Sequence, residues 1–205
     1  TKTLAAIDIG TNAIRLFISN VEEYPTETLF KKIAFLRVPI RLGEDVFTTG
    51  EIGQQKRKRL CETMQGFSYI MSAFNVESYK AYATCAMREA RNGKSVAEQI
   101  QKECDLNIEI ISGTKEAETI FAGGMNEVVD DDKTYLYVDV GGGSTEVIVY
   151  SKSVKVEACS FPLGTVRMLN DAVDKEEMKH FKKWLKNITE KYTPDAIIGS
   201  IRRSG

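Results

Sequence analysis

Histidine is the scarcest chemical resource in this sequence. One occurs in 205 residues, His180, within a lysine-rich stretch of helical character. A Ser-His-Asp triad or a histidine-built metal centre therefore has almost no material to use. Cysteine is sparse as well: Cys61, Cys85, Cys104 and Cys159 stand far apart, with no C-x-x-C pair. They argue against a zinc site or a disulfide framework and fit reduced, mostly buried thiols of a cytoplasmic protein. No run approaches the ~20 apolar residues needed to span a bilayer. No secretory pattern opens the chain, so a cytoplasmic, membrane-free protein is expected. An excess of either charge is also missing, since 28 basic and 29 acidic residues leave a formal net charge of -1. That balance argues against a footprint for duplex nucleic acid and leaves room for a local basic cleft that takes a small polyanion.

What is present suffices for a real core, with 42% of residues apolar. The runs at 4–10 and 13–21 are β-rich and joined by Thr11-Asn12, which reads as a hairpin. A third strand is expected over 28–40 and a loop over 41–50, where Gly43 and Gly50 signal turns. Apolar residues at helical spacing predict an amphipathic helix over 51–74. Strand and helix then alternate: strands at 79–84 and 107–112, helices at 94–105 and 116–129. This succession predicts an α/β sheet with crossover connections. A three-strand meander begins at TYLYVDV, a helix follows over 178–192 with Phe181, Trp184, Leu185 and Ile188 toward the core, and 195–200 forms one more strand. The acidic stretch VDDDK (129–133) marks the expected boundary, giving halves at 1–128 and 133–205.

The chain repeats itself. AAIDIGTNAIRLFI (5–18) aligns without a gap on LYVDVGGGSTEVIV (136–149), with Asp8 on Asp139 and Gly10 on Gly141. Each copy opens a strand–turn–strand unit followed by a third strand and a helix, so duplication is the better reading. A glycine turn suits phosphate, because glycine lets backbone N–H groups approach an anion closely. Gly141, Gly142, Gly143, Ser144 and Thr145 could serve one phosphate, and Gly10, Thr11 and Asn12 another. Asp8 and Asp139, just ahead of the turns, are better suited to Mg²⁺ or its bound water than to phosphate itself. One glycine turn is weak support; two, each preceded by Asp at matching positions, are stronger.

The segments AAIDIGTNAIRL, RLGEDV, YATCAMREARN, IISGTKEAE, YVDVGGGSTE and FPLGTVRM occur in an order that resembles the exopolyphosphatase/guanosine pentaphosphate phosphohydrolase family of the actin-like ATPase superfamily. The resemblance implies two RNase-H-like halves with an interdomain cleft, the second half incomplete in this sequence. It implies hydrolysis of the terminal phosphoanhydride of inorganic polyphosphate, or of guanosine pentaphosphate, a substrate that would connect the protein to the stringent response. Mg²⁺ is the implied cofactor, with Mn²⁺ as a substitute, and a homodimer is implied for the complete protein. By motif position Glu116 matches the general base. Asp8, Asp139 and Glu146 match the acids around metal and attacking water, and Arg88 and Arg91 lie in the segment that meets phosphate oxygens.

From local sequence, each of these residues also has a plainer reading. Glu116 could be an acidic residue favoured at a helix start that Thr114 caps. Arg88 and Arg91 could be surface partners of nearby acids. Glu146 could face solvent at the hairpin. Arg15, at the place of Glu146 in the first copy, reads as a substrate contact, and Arg41 could reach a phosphate. Glu118 departs from the family pattern, which often has Arg there. A non-catalytic polyphosphate or nucleotide sensor and an ATP-dependent kinase remain as readings from other classes; the carboxylates at 116, 139 and 146 argue against the sensor.

Overall fold

The structure, a computed structural model, describes residues 1–122, 130, 132–152 and 154–201. The chain divides into two compact units, Thr1–Ile111 and Ser112–Gly205.

The first unit begins with three antiparallel strands, β1 (Lys2–Ile9), β2 (Ile14–Glu23) and β3 (Thr28–Val38). Helices α1 (Leu42–Thr49) and α2 (Gln54–Ala73) follow, then β4 (Ser78–Ala83), α3 (Cys85–Glu89), α4 (Gly93–Cys104) and β5 (Glu109–Ile110). The sheet order is β3-β2-β1-β4-β5, with β4 parallel to both of its neighbours. Side chains alternate along a strand. Ala5, Ile7 and Ile9 of β1 and Ile14, Leu16 and Ile18 of β2 thus share one face, and all are buried. Leu60, Met64, Phe67 and Met71 of α2 and Val96 and Ile100 of α4 complete this core. Asp8, Arg15 and Phe17 fall on the opposite face.

The second unit carries α5 (Gly113–Ala122), β6 (Thr134–Val140), β7 (Thr145–Ser151), β8 (Val154–Phe161), α6 (Thr165–Leu169), α7 (Lys175–Tyr192) and β9 (Ala196–Ile201). Its sheet order, β8-β7-β6-β9, repeats the first four positions of the other sheet. Here both faces are covered, which is why β7 reads as the unbroken apolar run VIVY. On one face Leu136, Val147, Val149 and Phe161 meet Ile188, Phe181 and Trp184 of α7, with Phe161 edge-on to Phe181 and Trp184 at 5.0 and 5.4 Å. On the other face Tyr135, Tyr137, Ile148 and Tyr150 pack with Ala117 of α5.

The duplication is visible in register as well as in element order. The first hairpin ends with Ile9 opposite Ile14 and the second with Val140 opposite Thr145, as the repeat alignment requires. The ladder to the third strand slips at Ile18/Ser19 in one unit and at Val149/Tyr150 in the other, again at aligned positions. A short helix, a long helix and a parallel strand follow in both.

Some expectations change. The loop expected over 41–50 is helix α1: Glu44 and Asp45 in its first turn favour the N-terminus, and Gly50, at φ 79°, closes its end in the left-handed conformation. The strand expected over 107–112 shrinks to Glu109–Ile110, an edge piece pairing with Tyr82 and Ala83 alone. Helix α6 was not expected. Helix α5 begins at Gly113, ahead of the expected 116, and its expected tail at 123–129 lies outside the described residues, as do 129 and 131 of VDDDK and residues 202–205. The division at Ile111/Ser112 groups α5 with the second sheet, because Ala117 packs there.

Candidate active site

Each glycine turn is tied to the short helix that follows its third strand. In the first unit Gly10 N–H closes the turn on Ala13 O at 3.2 Å, and in the second Gly141 N–H closes on Ser144 O at 2.9 Å. Gly43 N–H of α1 donates to Thr11 O at 2.9 Å, and Val166 N–H of α6 donates to Gly142 O at 2.8 Å. Arg41 N–H holds Asn12 O at 2.9 Å, and Thr165 N–H holds Gly141 O at 3.0 Å. Helix starts leave N–H groups without intrahelical acceptors, and here the turn carbonyls accept them.

This pinning has a consequence for anions. In a trans peptide the C=O of one residue and the N–H of the next point to opposite sides. Carbonyls aimed at α1 therefore turn the N–H groups of Asn12 and Ala13 away from it. Carbonyls of Gly141, Gly142 and Gly143 aimed at α6 turn away three consecutive N–H groups, those of Gly142, Gly143 and Ser144. Consecutive N–H groups on one side form a concavity suited to phosphate oxygens. The expected donors at Gly10 and Gly141 close their own turns, so the outward donors begin one or two residues later.

The second turn is held more tightly. A Cβ on Gly164 would stand 2.3 Å from Gly142 O, so glycine is needed where α6 approaches the turn. Thr145 Oγ1 donates to Leu163 O at 2.5 Å. Arg167, 9% exposed, donates from Nε to Gly143 O at 3.0 Å.

The carboxylates follow from strand register. Asp139 and Glu146 are directly opposite in the β6–β7 ladder, each 1% exposed. Alternation sets Asp139 with Tyr135 and Tyr137, and Glu146 with Ile148 and Tyr150, which is the face covered by α5. Like charges directly across a ladder repel. Glu146 Oε1 accepts from Ser160 Oγ at 2.8 Å, on the next strand over. Glu116 lies in the first turn of α5, one residue before the Ala117 that packs on this face, and is buried. Its helix is capped by Ser112, whose Oγ accepts from Lys115 N–H at 3.2 Å, instead of by Thr114 as expected. The three expected catalytic carboxylates thus belong to one unit and one side of its sheet. Burial raises the Tyr150 hydroxyl pKa well above the usual range, and the Glu118 charge adds to it. Glu118 itself is ion-paired with Lys155 of β8.

Other expected residues lie in the first unit. Asp8 is opposite Arg15 and ion-paired with it at 2.6 Å. Arg37 is opposite Arg15 on the far side. Arg88 Nη1 donates to Ile111 O at 2.7 Å, and Arg91 Nη2 to Thr49 O at 2.9 Å with Glu51 at 3.6 Å. Arg41 starts α1 in the left-handed conformation, φ 60°. Among the described residues no three His, Cys, Asp or Glu side chains gather as a metal site, and Asp8 belongs to a different unit from Asp139 and Glu146. Sequence reasoning missed Arg167, Ser160 and Gly164. Two of them lie in FPLGTVRM, and the parallel between VPIRL (38–42) and FPLGT (161–165) was the available signal.

A model of the Ppx/GppA phosphatase family matches residues 18–202. The chain is 32% identical over 168 residues to a bifunctional 3-dehydroquinate synthase/phosphatase of Fusobacterium nucleatum, covering 80% of this chain and 25% of that protein. It is 28% identical over 170 residues to exopolyphosphatase 2 of Mycobacterium tuberculosis, covering 80% and 53%. The crystal structure of an exopolyphosphatase from Cytophaga hutchinsonii superposes with a TM-score of 0.84 at 26% identity, covering 97% of this chain and 66% of that one. The chain thus spans a quarter to about half the length of the curated relatives it matches.

Proposed function

The chain belongs to the Ppx/GppA phosphatase family, and from that premise we propose that the protein hydrolyses the terminal phosphoanhydride of inorganic polyphosphate and releases orthophosphate. The observation that carries this reading is the buried pair Asp139 and Glu146, directly opposed beside a turn with three outward N–H groups. Relatives named exopolyphosphatase support the substrate class.

The residues divide the work by chemistry. Gly142, Gly143 and Ser144 N–H groups bind the terminal phosphoryl oxygens and stabilise charge there as the bond to phosphorus changes. Glu116 accepts a proton from water as the water oxygen attacks the terminal phosphorus. The bond to the bridging oxygen breaks, and that oxygen leaves with the shortened chain. In the first unit Arg15, oriented by Asp8, and the N–H groups of Asn12 and Ala13 bind phosphates. Arg88 and Arg91 serve more remotely, since both have donors engaged by backbone carbonyls.

Asp139 and Glu146 fit a hard divalent cation, for which Mg²⁺ or Mn²⁺ is the choice. Mg²⁺ is commonly bound through one or two carboxylates, with water and substrate phosphate completing its shell. When bound, it would neutralise phosphate charge and lower the pKa of a coordinated water. A cytoplasmic location accords with four free cysteines, three of them buried. No described helix is long and apolar enough to cross a membrane.

Replacing Glu116 by Gln tests the assignment. Orthophosphate release from long-chain polyphosphate is expected to fall by about 10²–10⁴-fold with substrate binding retained. A fully active variant rejects Glu116 as base. Preference for guanosine pentaphosphate over polyphosphate in a competition assay rejects the substrate.

A further inference from the structure

We propose that Arg167 is a positioning residue for the phosphate turn of the second unit: its side chain fixes the peptide plane that presents the Ser144 N–H group. The inference rests on the reading that this turn binds the terminal phosphate.

Two adjacent turn carbonyls meet this residue, the first shared with Val166 N–H and the second through the Arg167 side chain. Its backbone N–H lies 3.2 Å from Gly142 O, and its Nε lies 3.0 Å from Gly143 O. Each carbonyl direction sets the direction of the next N–H: backbone donors of Val166 and Arg167 aim the Gly143 N–H, and the Arg167 side chain aims the Ser144 N–H. The Gly142 N–H is set separately, by the bond from Thr165 N–H to Gly141 O. Arg167 is anchored in turn: its own carbonyl accepts Ala172 N–H at 3.0 Å, and the residue is buried. Gly164 makes the reach possible by bringing α6 against the turn at a distance that no Cβ tolerates.

The duplicate turn isolates what Arg167 adds. In the first unit the carbonyls of Thr11 and Asn12 are held by backbone N–H groups of Gly43 and Arg41. In the second turn Gly142 O is held by backbone N–H groups as its counterpart Thr11 O is, but Gly143 O, the counterpart of Asn12 O, is held by a buried cationic side chain. Hydrogen bonds from a charged donor are stronger than neutral ones. Arginine also brings a planar, permanently charged group of fixed geometry, which lysine does not reproduce. A stiffer turn matters most in the transition state, where misaligned donors lose the stabilisation they were arranged to give.

The test uses Arg167→Lys and Arg167→Met in the full-length protein. Both are expected to lower kcat on polyphosphate by about 100-fold while KM changes by less than about threefold, since the lost stabilisation belongs to the transition state. A second readout needs no turnover. Amide ¹H–¹⁵N shifts of Gly142, Gly143 and Ser144 are followed during titration with inorganic phosphate. In the wild type all three move; in the variants Ser144 loses its response, and Gly142 and Gly143, whose peptide planes are set by backbone donors, keep theirs. Adding methylguanidine to Arg167→Ala is expected to restore part of kcat. Wild-type kcat in Arg167→Lys, an unchanged phosphate response at Ser144, or a wild type whose three amides ignore phosphate overturns the proposal. Should Arg167→Met not fold, Arg167→Lys decides the outcome. A wild type with the amide responses but no hydrolysis sinks the polyphosphatase reading and leaves the positioning role standing.

Discussion

One cross-strand row in the first unit runs Arg37, Arg15, Asp8; the aligned row in the second runs Ser160, Glu146, Asp139. The backbone at the two places is nearly the same, with matching hairpin ends and ladder slips. The charges are opposite. Under the proposed function, two guanidinium groups and one carboxylate suit the first row to an anion, and two buried carboxylates suit the second to a cation and water. On the proposed reading, a duplicated frame keeps its turn for phosphate and differs at two strand positions, Arg15 against Glu146 and Arg37 against Ser160, which splits binding from chemistry.

The deepest break in this comparison comes from writing the first row into the second. Glu146→Arg opposite Asp139 would form the ion pair seen at Asp8 and Arg15 and displace the cation. Phosphate release is expected to fall at least about 10³-fold, the scale of losing electrostatic stabilisation of the transferred group. Circular dichroism checks that the unit still folds.

Next in size is the helix start. Gly164→Ala drives a Cβ to 2.3 Å from Gly142 O and must shift α6 or the turn. A loss of about 2–3 kcal/mol in unfolding free energy is expected, typical of overpacking. The corresponding place in the first unit is Arg41, at φ 60°. Glycine adopts this conformation without strain, so Arg41→Gly is expected to be neutral or to stabilise by up to about 1 kcal/mol. Denaturant unfolding of the two variants measures the contrast.

These contrasts also show what the sequence can and cannot reveal. Both hairpins, the long helices and the repeat were legible, because alternation and glycine turns are local signals. Helix α1 was hidden by its shortness and by Gly43 and Gly50, which looked like turn residues although one lies inside the helix and the other caps it. Helix α6, of five residues, has too few apolar positions to show a period. Asp139 and Glu146 could be named from the motif, and their opposition follows once the hairpin register is known. Arg167 and Ser160 could not be singled out in this way. Their bonds reach Gly143 and Glu146 across 24 and 14 residues and exist only after helix and strand have docked.

The smallest effect concerns Glu118, where the family pattern often has Arg. Its pair with Lys155 is half exposed, with side-chain exposures of 48% and 37%. Such pairs contribute roughly 0–1 kcal/mol, so Glu118→Ala is expected to change stability by less than about 1 kcal/mol. Thermal unfolding at low and high salt checks this, because a screened surface pair loses its effect as salt rises.

The division of labour between the two rows is tested most directly by titrating Mg²⁺ against polyphosphate hydrolysis in Glu146→Gln and Arg15→Met. Glu146→Gln is expected to raise the Mg²⁺ concentration for half-maximal rate by about tenfold or more with little change in the KM for polyphosphate. Arg15→Met is expected to do the reverse, raising KM by about tenfold and leaving the Mg²⁺ midpoint in place. Equal shifts of both quantities in both variants, or a Mg²⁺ midpoint that moves with Arg15 and not with Glu146, would contradict the account.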